Sequence, residues 1–433
     1  MIGTRTTCAG AVPADGLSIR PLERFLEAMR PATMGPRLAA ALGGPRTAWH
    51  VLDAQFEPGV RAVVLYARGE ELVRGDLLPD PAAEPSALVV APGVRLSRFP
   101  VDPGLPTLPR VMNPDLLGAA LAAAVDGSSY GSARRAPRCR ADLVRYRPGR
   151  RATLLVARCG DPGRYVVKAY HDDAKAAAVA SEASVLAGAA SASTTLALAP
   201  VVTHLRHLRA VVQRAVPGAP LDALLGTRSG ATAVAGAGHA LAELHGIESA
   251  TDRQRPVVTE LRRFRLRAAG IATVDARAGE ALGVLTERLA ATYGELTPDR
   301  PGAVHGDCTP SQFRYGPRCT YVTDLDHLGL ADQAVDVGTF LASLRQRDIR
   351  RGLSRSTPRT TAPIGALAAT FLAAYQEVRG GPLEPPRVTW HEAAALARKA
   401  LRAFARAPRS PLPLALAASA TRCLDGLDRE EGW

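Results

Sequence analysis

One short stretch, residues 304–326, carries most of the side chains in this sequence that could do chemistry. Asp307 lies near its start, the side-chain amide of Gln312 follows five residues later, and Asp324 ends a short apolar run. Phosphoryl transfer from a nucleotide uses such groups, because one carboxylate orients the attacking hydroxyl while an amide and a second carboxylate hold Mg²⁺ on the phosphates. We therefore predict Asp307 as the catalytic base, with Gln312 and Asp324 as metal ligands. Asp326 is left with two interpretations, a second metal contact or a structural brace of the loop.

Two charged residues upstream complete a phosphate site of this kind. Lys168 ends an apolar, strand-like run and is one of only three lysines in the chain, which makes its position informative. A lysine there can hold the α- and β-phosphates, and Glu182 in the helix that follows can hold the lysine. The turn at Gly149 and Arg150 lacks a glycine-rich phosphate-binding motif, but its backbone amides could still cradle a phosphate. These four residues are therefore predicted to bind the nucleotide.

The elements that must position these residues follow from hydrophobic periodicity and turn signals. Strand-like alternation covers 48–78, 140–170 and 199–215, whereas 79–110 holds many prolines and is predicted to be mostly loop. After 218 the chain is mostly helical, with short strands in 301–330. This order predicts an α+β fold with a small β-rich lobe that holds one main helix, a larger helical lobe and an N-terminal α/β extension. The predicted helices span 20–42, 113–126, 172–190, 220–226, 231–246, 257–269, 277–293, 335–346, 362–378, 390–407 and 413–426.

The same pattern divides the chain into three predicted domains, an extension with a small sheet, a β-rich lobe and a helical lobe, which span 1–135, 136–217 and 218–433. Within the extension, residues 56–77 resemble residues 146–170, and Arg74 falls roughly where the second segment has Lys168. Two explanations of this similarity stay open, a degenerate duplication or a chance resemblance between two amphipathic hairpins. In either case we expect the first copy to be structural.

Together these features resemble the aminoglycoside phosphotransferase/choline kinase family, whose members act on small molecules with a bilobal, protein-kinase-like fold. The resemblance covers roughly residues 140–430. The chain departs from the family pattern at Gln312, where the family more usually has asparagine, and this leaves a reduced activity open. The segments that carry the resemblance are YRPGRRATLLV, YVVKAY, the helix with Glu182, LAELHGI, VHGDCTPSQ, VTDLDHLGLADQAVDVGTFLASL and FLAAYQEVRG.

The resemblance implies further residues and the cofactors of the reaction. His305 would be a buried organiser of the catalytic loop, and Asp336 would brace that loop from the following helix. Backbone groups around Gln213 and Val216 would hold the adenine at the hinge between the lobes. The implied cofactors are ATP or GTP with Mg²⁺, and the implied partner is a small molecule with a hydroxyl acceptor.

Composition excludes several other classes of protein. The 433 residues are 47% hydrophobic, yet apolar stretches such as 117–125 are too short to span a membrane. The net charge of +13 comes almost entirely from scattered arginines, which indicates a composition bias rather than a nucleic-acid surface. Six widely spaced cysteines form no CxxC pair, and the N-terminus lacks the pattern of a secretion signal. We therefore expect a cytoplasmic protein with no nucleic-acid or membrane partner.

The predicted function is transfer of the γ-phosphate of Mg·ATP to a hydroxyl of a sugar, an amino alcohol or an antibiotic-like natural product. Residues 330–433 hold fifteen basic and ten acidic residues, a balance that disfavours a polycationic acceptor and favours a neutral or anionic one. The alternative is a catalytically weak or inactive kinase-like nucleotide-binding regulatory protein, which Gln312 and the extension would suit. A protein kinase is disfavoured, because no APE-like segment follows Asp324.

Overall fold

The computed structural model describes residues 21–45, 48–79, 88–126, 139–248, 251–296, 301–354 and 363–428. The extension within it is a small α/β unit, in which two helices pack on a five-stranded antiparallel sheet and two helices follow the sheet. Its elements are α1 (Pro21–Ala28), α2 (Pro31–Leu42), β1 (His50–Glu57), β2 (Arg61–Arg68), β3 (Glu71–Leu77), β4 (Val89–Val90), β5 (Val94–Arg98), α3 (Leu108–Val111) and α4 (Pro114–Asp126). The sheet has the order β1-β2-β3-β5-β4, and Phe25 of α1 stacks on Phe56 of β1 with ring centroids 4.8 Å apart.

A second five-stranded antiparallel sheet forms the small lobe. The elements of this part of the chain are β6 (Cys139–Arg147), β7 (Arg151–Arg158), β8 (Arg164–Tyr170), α5 (Asp173–Ala189), β9 (Leu196–Leu198), β10 (Val201–Leu205) and β11 (Ala210–Arg214). The sheet has the order β10-β11-β8-β7-β6. Side chains alternate along β8, so that Tyr165 and Val167 pack in the core with α3 and α4 while Lys168 and Tyr170 share the opposite face. Asp172 caps α5 by accepting a hydrogen bond from the Lys175 amide.

The helical lobe follows, and its helices surround two small sheets. Its elements are β12 (Ala219–Pro220), α6 (Leu221–Leu224), α7 (Gly230–Gly246), α8 (Val257–Ala272), α9 (Ala276–Glu295), β13 (Gly302–Val304), β14 (Phe313–Tyr315), β15 (Thr320–Val322), β16 (Gly329–Ala331), α10 (Ala334–Leu353), α11 (Ile364–Arg379), α12 (Pro385–Arg406) and α13 (Leu412–Asp428). One sheet has the order β12-β14-β15-β9, so β9 from the small-lobe segment pairs with the helical lobe; the other joins β13 to β16. Phe340 stacks on Phe371 in the core, with ring centroids 3.9 Å apart.

The extension packs against both lobes. Phe56 of its sheet belongs to one continuous hydrophobic core with Phe264 of α8 and Phe404 of α12 in the helical lobe. Leu121 of α4 belongs to a second core with Leu154 of the small-lobe sheet. Burial of apolar surface on both sides stabilises this arrangement, so the extension holds the two lobes together as well as being held by them.

The two hairpins of the suspected repeat have turns of equal length, each with a glycine at positive φ. Their registers correct one detail of the alignment. Lys168 pairs with Thr153, the third residue of β7, and the third residue of β2, Val63, pairs with Asp76. The counterpart of Lys168 is therefore Asp76 and not Arg74, because the connection between β2 and β3 is shorter than the one between β7 and β8. An aspartate at this position cannot hold a phosphate.

The predicted α+β class with its two lobes and N-terminal extension is confirmed, and the differences lie mainly at prolines. The predicted helix 20–42 is two helices, because Pro31 forces Arg30 out of helical geometry (φ −83°, ψ 116°). The segment 79–110 contains β4, β5 and α3, since β5 pairs with β3, a non-local contact that proline content does not reveal. The predicted boundary at 135/136 lies outside the described residues, and the division into three domains stays a prediction. None of the helices in the described ranges combines the length and the apolar character that a membrane span requires.

Candidate active site

The loop that follows β13 is held by one buried carboxylate. Asp336, in the first turn of α10, is fully buried and accepts hydrogen bonds from the backbone N–H groups of His305 (2.5 Å) and Gly306 (2.8 Å). The ring of His245 contacts the same carboxylate at 3.1 Å and the Tyr375 hydroxyl at 2.8 Å. Burial raises the pKa of Asp336, but the bond and charge of His245 outweigh burial and lower it. An ionised Asp336 therefore fixes the backbone just before Asp307.

Gly306 must be a glycine for two reasons. Its φ is +77°, and a Cβ atom built on it would lie 2.2 Å from the carbonyl oxygen of His327. His305 is fully buried and joins this loop to the next one. Its Nδ1 accepts a hydrogen bond from the Asp307 amide (3.3 Å), so its Nε2 carries the proton and donates to the carbonyl oxygen of Thr323 (2.9 Å). The loop of Asp307 and the residue before Asp324 are thereby linked.

The carboxylate of Asp307 faces a large cavity. Its side chain is 15% exposed, and Nη1 of Arg402 lies 3.6 Å from one of its oxygens. Burial by itself raises the pKa of Asp307, but the positive charge of Arg402 is the largest of the effects that outweigh burial and lower it. Burial in turn lowers the pKa of His327 to about 4, which leaves that ring neutral at physiological pH. Asp307 is therefore ionised and able to accept a proton or a hydrogen bond from a hydroxyl group.

Lys168 meets the carboxylates of the second loop. Its Nζ lies 2.8 Å from Oδ1 of Asp324 and 2.9 Å from Oδ1 of Asp326. Arg151, at the start of β7, bonds to both oxygens of Asp324 (2.8 and 3.1 Å) and also to Asp326. The hydroxyl of Tyr170 donates to Asp326 from the same face of β8 as the lysine. Two cations therefore bridge two carboxylates between the small lobe and the helical lobe.

The charges of this cluster stabilise one another. Burial raises the pKa of Asp324, yet Lys168 and Arg151 outweigh it and hold the pKa well below its usual value. Burial lowers the pKa of Lys168, but Asp326 and Asp324 more than compensate and raise it. Asp324 has a left-handed backbone (φ 63°, ψ 52°), a conformation that aspartate tolerates better than most residues. The turn allows the carboxylates of Asp324 and Asp326 to contact the same two cations, Lys168 and Arg151.

The predicted ion pair between Lys168 and Glu182 is wrong for this structure. Glu182 lies on α5, but it accepts hydrogen bonds from the Thr251 hydroxyl (3.0 Å) and from Arg253 (3.1 Å). The physical reason is competition, because Asp324 and Asp326 supply two carboxylates to the lysine while Arg253 supplies a cation to the glutamate. Glu182 thus joins the small-lobe helix to the segment before α8 and does not contact the lysine.

The predicted phosphate cradle at the turn between β6 and β7 is also partly wrong. The backbone N–H of Gly149 donates to the buried carboxylate of Asp102 (2.6 Å), and that of Arg150 to the carbonyl oxygen of Arg147 (3.0 Å). Asp102 comes from the extension, and Gly104 beside it approaches so closely that its Cβ would lie 2.5 Å from the Cα of Gly149. The extension therefore occupies the place that the cradle interpretation reserved for phosphate. The side chain of Arg150 lies 3.2 Å from Glu57 and lines the cavity.

The donors around Asp324 fit a magnesium ion in their chemistry. Carboxylate and amide oxygens are the ligands that Mg²⁺ prefers, and Asp324, Asp326 and Gln312 offer both kinds. The backbone carbonyl oxygen of Gln312 accepts hydrogen bonds from the amide (2.9 Å) and hydroxyl (3.0 Å) of Thr323, which keeps the residue beside Asp324. Among the described residues no group of three histidine, cysteine or acidic side chains is arranged to hold a metal. A metal bound by both aspartates has to displace Arg151 from at least one of them.

The predicted adenine-binding residues lie where β11 leaves the small-lobe sheet. Gln213 is buried and pairs with Val166 of β8 and Val201 of β10, so its backbone belongs to the sheet. Two residues later, the Ala215 amide donates to the carbonyl oxygen of Arg164 (2.9 Å). Val216 is half-buried in the connection to the helical lobe. Adenine binding at this hinge stays a prediction.

The cavity beside Asp307 has a volume of about 1150 Å³. The loop of Asp307 and the helices α8, α10 and α12 surround it, and strand β1 of the extension closes one side with Asp53, Gln55 and Glu57. No local motif marks this wall or Arg151, so neither was predicted from the sequence. Tyr170 was also missed, although strand alternation places it on the face of Lys168 and could have identified it.

Several solved structures are similar to this chain. A choline/ethanolamine kinase family protein from Mesorhizobium loti is 16% identical over 71% of this chain and 92% of its own, with a TM-score of 0.45. A glucosamine kinase, solved with glucosamine, ADP and inorganic phosphate, is 19% identical over 89% of this chain and 96% of its own (TM-score 0.47). An aminoglycoside-3'-phosphotransferase of type VIII is 20% identical over 59% of this chain and 92% of its own (TM-score 0.42).

No curated protein matches the sequence. A family model, described as the phosphotransferase enzyme family, matches residues 142–396. This range is more than half of the chain and contains Lys168, the catalytic loop and Asp324. It also begins after the extension, which the family model does not cover. The chain therefore belongs to the phosphotransferase enzyme family, as its resemblance to aminoglycoside phosphotransferases and choline kinases implied.

Proposed function

We propose that the protein transfers the γ-phosphate of ATP to a hydroxyl group of a small molecule. The observation that carries the proposal is the link between two loops. Asp307 faces the cavity, and His305 connects its loop through Thr323 to Asp324, which is bonded to Lys168. A hydroxyl compound in the cavity and a triphosphate near the lysine would then meet at Asp307.

In this proposal the residues of the chain position the hydroxyl group and the phosphates and polarise the reacting bonds. Asp307 accepts the hydroxyl proton as the hydroxyl oxygen attacks the γ-phosphorus, and the bond from that phosphorus to the β,γ-bridging oxygen breaks as ADP leaves. Lys168 neutralises charge on the phosphates, while Asp336 and His305 keep Asp307 in place. Mg²⁺, when bound by Asp324 and Gln312, would neutralise the charge that develops on the transferring group. Asp326 would contribute a second oxygen to the metal.

A second candidate function is a weak or inactive nucleotide-binding regulator. Arg151 favours it, because this guanidinium bonds to both carboxylates that are proposed to hold the metal. The pairing of Glu182 with Arg253 favours it too, since Lys168 then lacks the glutamate that a kinase site of this type uses. A protein with either function binds nucleotide, so the two functions differ in whether the protein transfers phosphate from ATP.

Turnover is tested with labelled ATP and Mg²⁺ on a panel of sugars, amino alcohols, aminoglycosides and macrolides. We expect transfer of label to at least one hydroxyl compound. Asp307→Asn should keep the rise in melting temperature that Mg·ATP causes and lose at least about a hundredfold in kcat. Asp142→Asn, an exposed residue of β6 with a 55% exposed side chain, is the matched control and should keep full activity.

The outcomes separate the two functions. Binding of ATP without label transfer to any acceptor favours the regulator. Transfer that survives Asp307→Asn contradicts the assignment of the base. Loss of both ATP binding and turnover in Lys168→Met, with neither lost in Asp307→Asn, contradicts it as well.

A further inference from the structure

The cavity beside Asp307 carries a large excess of positive charge. Fourteen arginine and lysine side chains line it, against six carboxylates. They come from separate parts of the chain, including Arg147 at the end of β6, Arg350 on α10 and Arg402 on α12. Such a concentration raises the local positive potential, because low-dielectric walls focus the field of the charges inside a cleft.

Several of these cations lack an anionic partner. Within the described residues, Arg145, Arg147 and Arg350 have no carboxylate within ion-pair distance. Lys399 bonds only to neutral groups, the Ser343 hydroxyl at 2.9 Å and the Gln346 amide oxygen at 3.4 Å. Burial and then the charge of Arg402 lower the pKa of Lys399 to about 7. Burial and then the charge of Arg145 lower the pKa of Arg147 to about 10. These cations repel one another.

The carboxylates of the cavity do not relieve this repulsion, because most are already paired. Glu260 bonds to Arg398 at 2.5 Å. Asp332 bonds to Arg387 and to His391. Glu57 lies 3.2 Å from Arg150 at the wall formed by the extension. An anionic ligand would relieve this repulsion.

The proposed nucleotide site is set apart from two of these cations, whereas Arg147 lies close enough to Arg151 for the two charges to interact. Lys399 and Arg350 project from the helical lobe, and they line the cavity together with Asp307 and Gln312. Lys168 and Asp324, where the triphosphate is proposed to bind, are not among the described residues that line it. Asp307 thus stands between two sites, one for phosphates and one for a second anion.

Resting on the proposed function, we propose that the acceptor is an anionic hydroxyl compound, whose carboxylate or phosphate group is bound by Lys399, Arg350 and Arg147. The hydroxyl to be phosphorylated would then lie at Asp307. Strand β1 closes one side of the cavity, whose volume of about 1150 Å³ suits a small molecule with one charged group better than a polymer. A polycationic acceptor is disfavoured, because it would add to the repulsion.

The experiment compares four sugars of similar size on the full-length protein. Glucosamine is cationic, glucose is neutral, glucuronate carries a carboxylate and glucose 6-phosphate carries a phosphate. Binding is measured by calorimetry in the presence of Mg·ADP. We expect at least one anionic sugar to bind about tenfold or more tightly than glucose, with glucosamine weakest. The preference for glucuronate or for glucose 6-phosphate identifies which anionic group the site takes.

Variants test whether the three proposed cations cause the preference for an anionic sugar. Arg350→Gln combined with Lys399→Met should reduce the advantage of the anionic sugar about tenfold and leave the Kd of ATP within about twofold. Arg262→Gln, an exposed arginine of α8 outside the cavity lining, is the matched control and should change neither. Arg147→Gln tests the third cation by itself, should the double variant fail to fold.

Each outcome decides a different question. Equal or tighter binding of glucose or glucosamine, or no binding of either anionic sugar at millimolar concentration, overturns the inference. A variant that weakens ATP and leaves the sugars unchanged also overturns it, because the cations then serve the nucleotide. Tight binding of an anionic sugar without any ATP binding overturns the proposed function instead, and with it the role of that sugar as acceptor.

Discussion

Removal of Arg151 should strengthen metal binding at Asp324 and Asp326. The guanidinium Nη1 lies 2.8 Å from Oδ1 of Asp324, an oxygen that is also proposed to bind Mg²⁺. Because Mg²⁺ binds oxygen at about 2 Å, the ion and the guanidinium would be at most about 5 Å apart. Even with the dielectric constant of bulk water, Coulomb's law gives about 1.7 kcal/mol of repulsion at that distance, which is more than tenfold in Kd.

Arg151→Gln is therefore expected to lower the Kd for Mg²⁺ by about tenfold or more in the absence of nucleotide. The measurement is calorimetry with Mg²⁺, or the electron paramagnetic resonance signal of free Mn²⁺ in a titration. Arg151→Lys is the matched control, because it keeps the charge and should change the affinity less. The guanidinium is only 10% exposed, so its loss should also cost about 3 kcal/mol of unfolding free energy.

One result would contradict the competition between Arg151 and the metal. If Arg151→Gln retains the near-ultraviolet circular dichroism of the parent and binds the metal equally or more weakly, Arg151 does not compete for the carboxylates. In that case the guanidinium would support the metal site instead of opposing it.

Three further predictions concern the carboxylates that hold the fold around the site. Asp336→Asn should lower the free energy of unfolding in urea by about 3 kcal/mol, because two loop amides and His245 lose a charged acceptor. The same variant should lower kcat by a larger factor than it changes the KM for ATP. Asp102→Asn should cost about 2 kcal/mol, since Tyr146, Gly149 and Arg74 all donate to this carboxylate; an unchanged urea midpoint would contradict the bridging role of the extension. The pKa of Asp332 is lowered to about 2, burial being outweighed by the bond from His391, so its stabilisation is present at neutral pH. Asp332 should therefore contribute a loss of about 2 kcal/mol as the pH falls from about 5 to 2 in urea titrations, a loss that Asp332→Asn should not show.

Local sequence patterns predicted the residues that lie on well-defined elements. Lys168 lies near the end of a strand with clear alternation, and Asp324 follows a short apolar strand, so the residue types that phosphoryl transfer requires indicated that both belong to one site. The structure brings them within 2.8 Å of each other. Asp307 was predicted from the spacing of Asp307, Gln312 and Asp324, whereas Asp336 was indicated only by the family resemblance. The catalytic and metal-binding roles of these residues stay predictions.

Partners that come from distant segments were not predictable. Glu182 pairs with Arg253, 71 residues later, and Gly149 with Asp102, 47 residues earlier. Neither pairing leaves a periodic signal, because a single hydrogen bond between two loops depends on the packing of everything between them. The position of the extension is the largest example, since two separate hydrophobic cores, built from residues far apart in the sequence, hold it beside the cavity.

A crystal structure with Mg²⁺ and a non-hydrolysable ATP analogue tests the central claim most directly. We expect the triphosphate to lie between Lys168 and Asp307, with the metal on Asp324 and Gln312. Arg151 should be turned away from at least one carboxylate. A triphosphate bound elsewhere, or a metal that does not touch Asp324 while Arg151 keeps both aspartates, would contradict it.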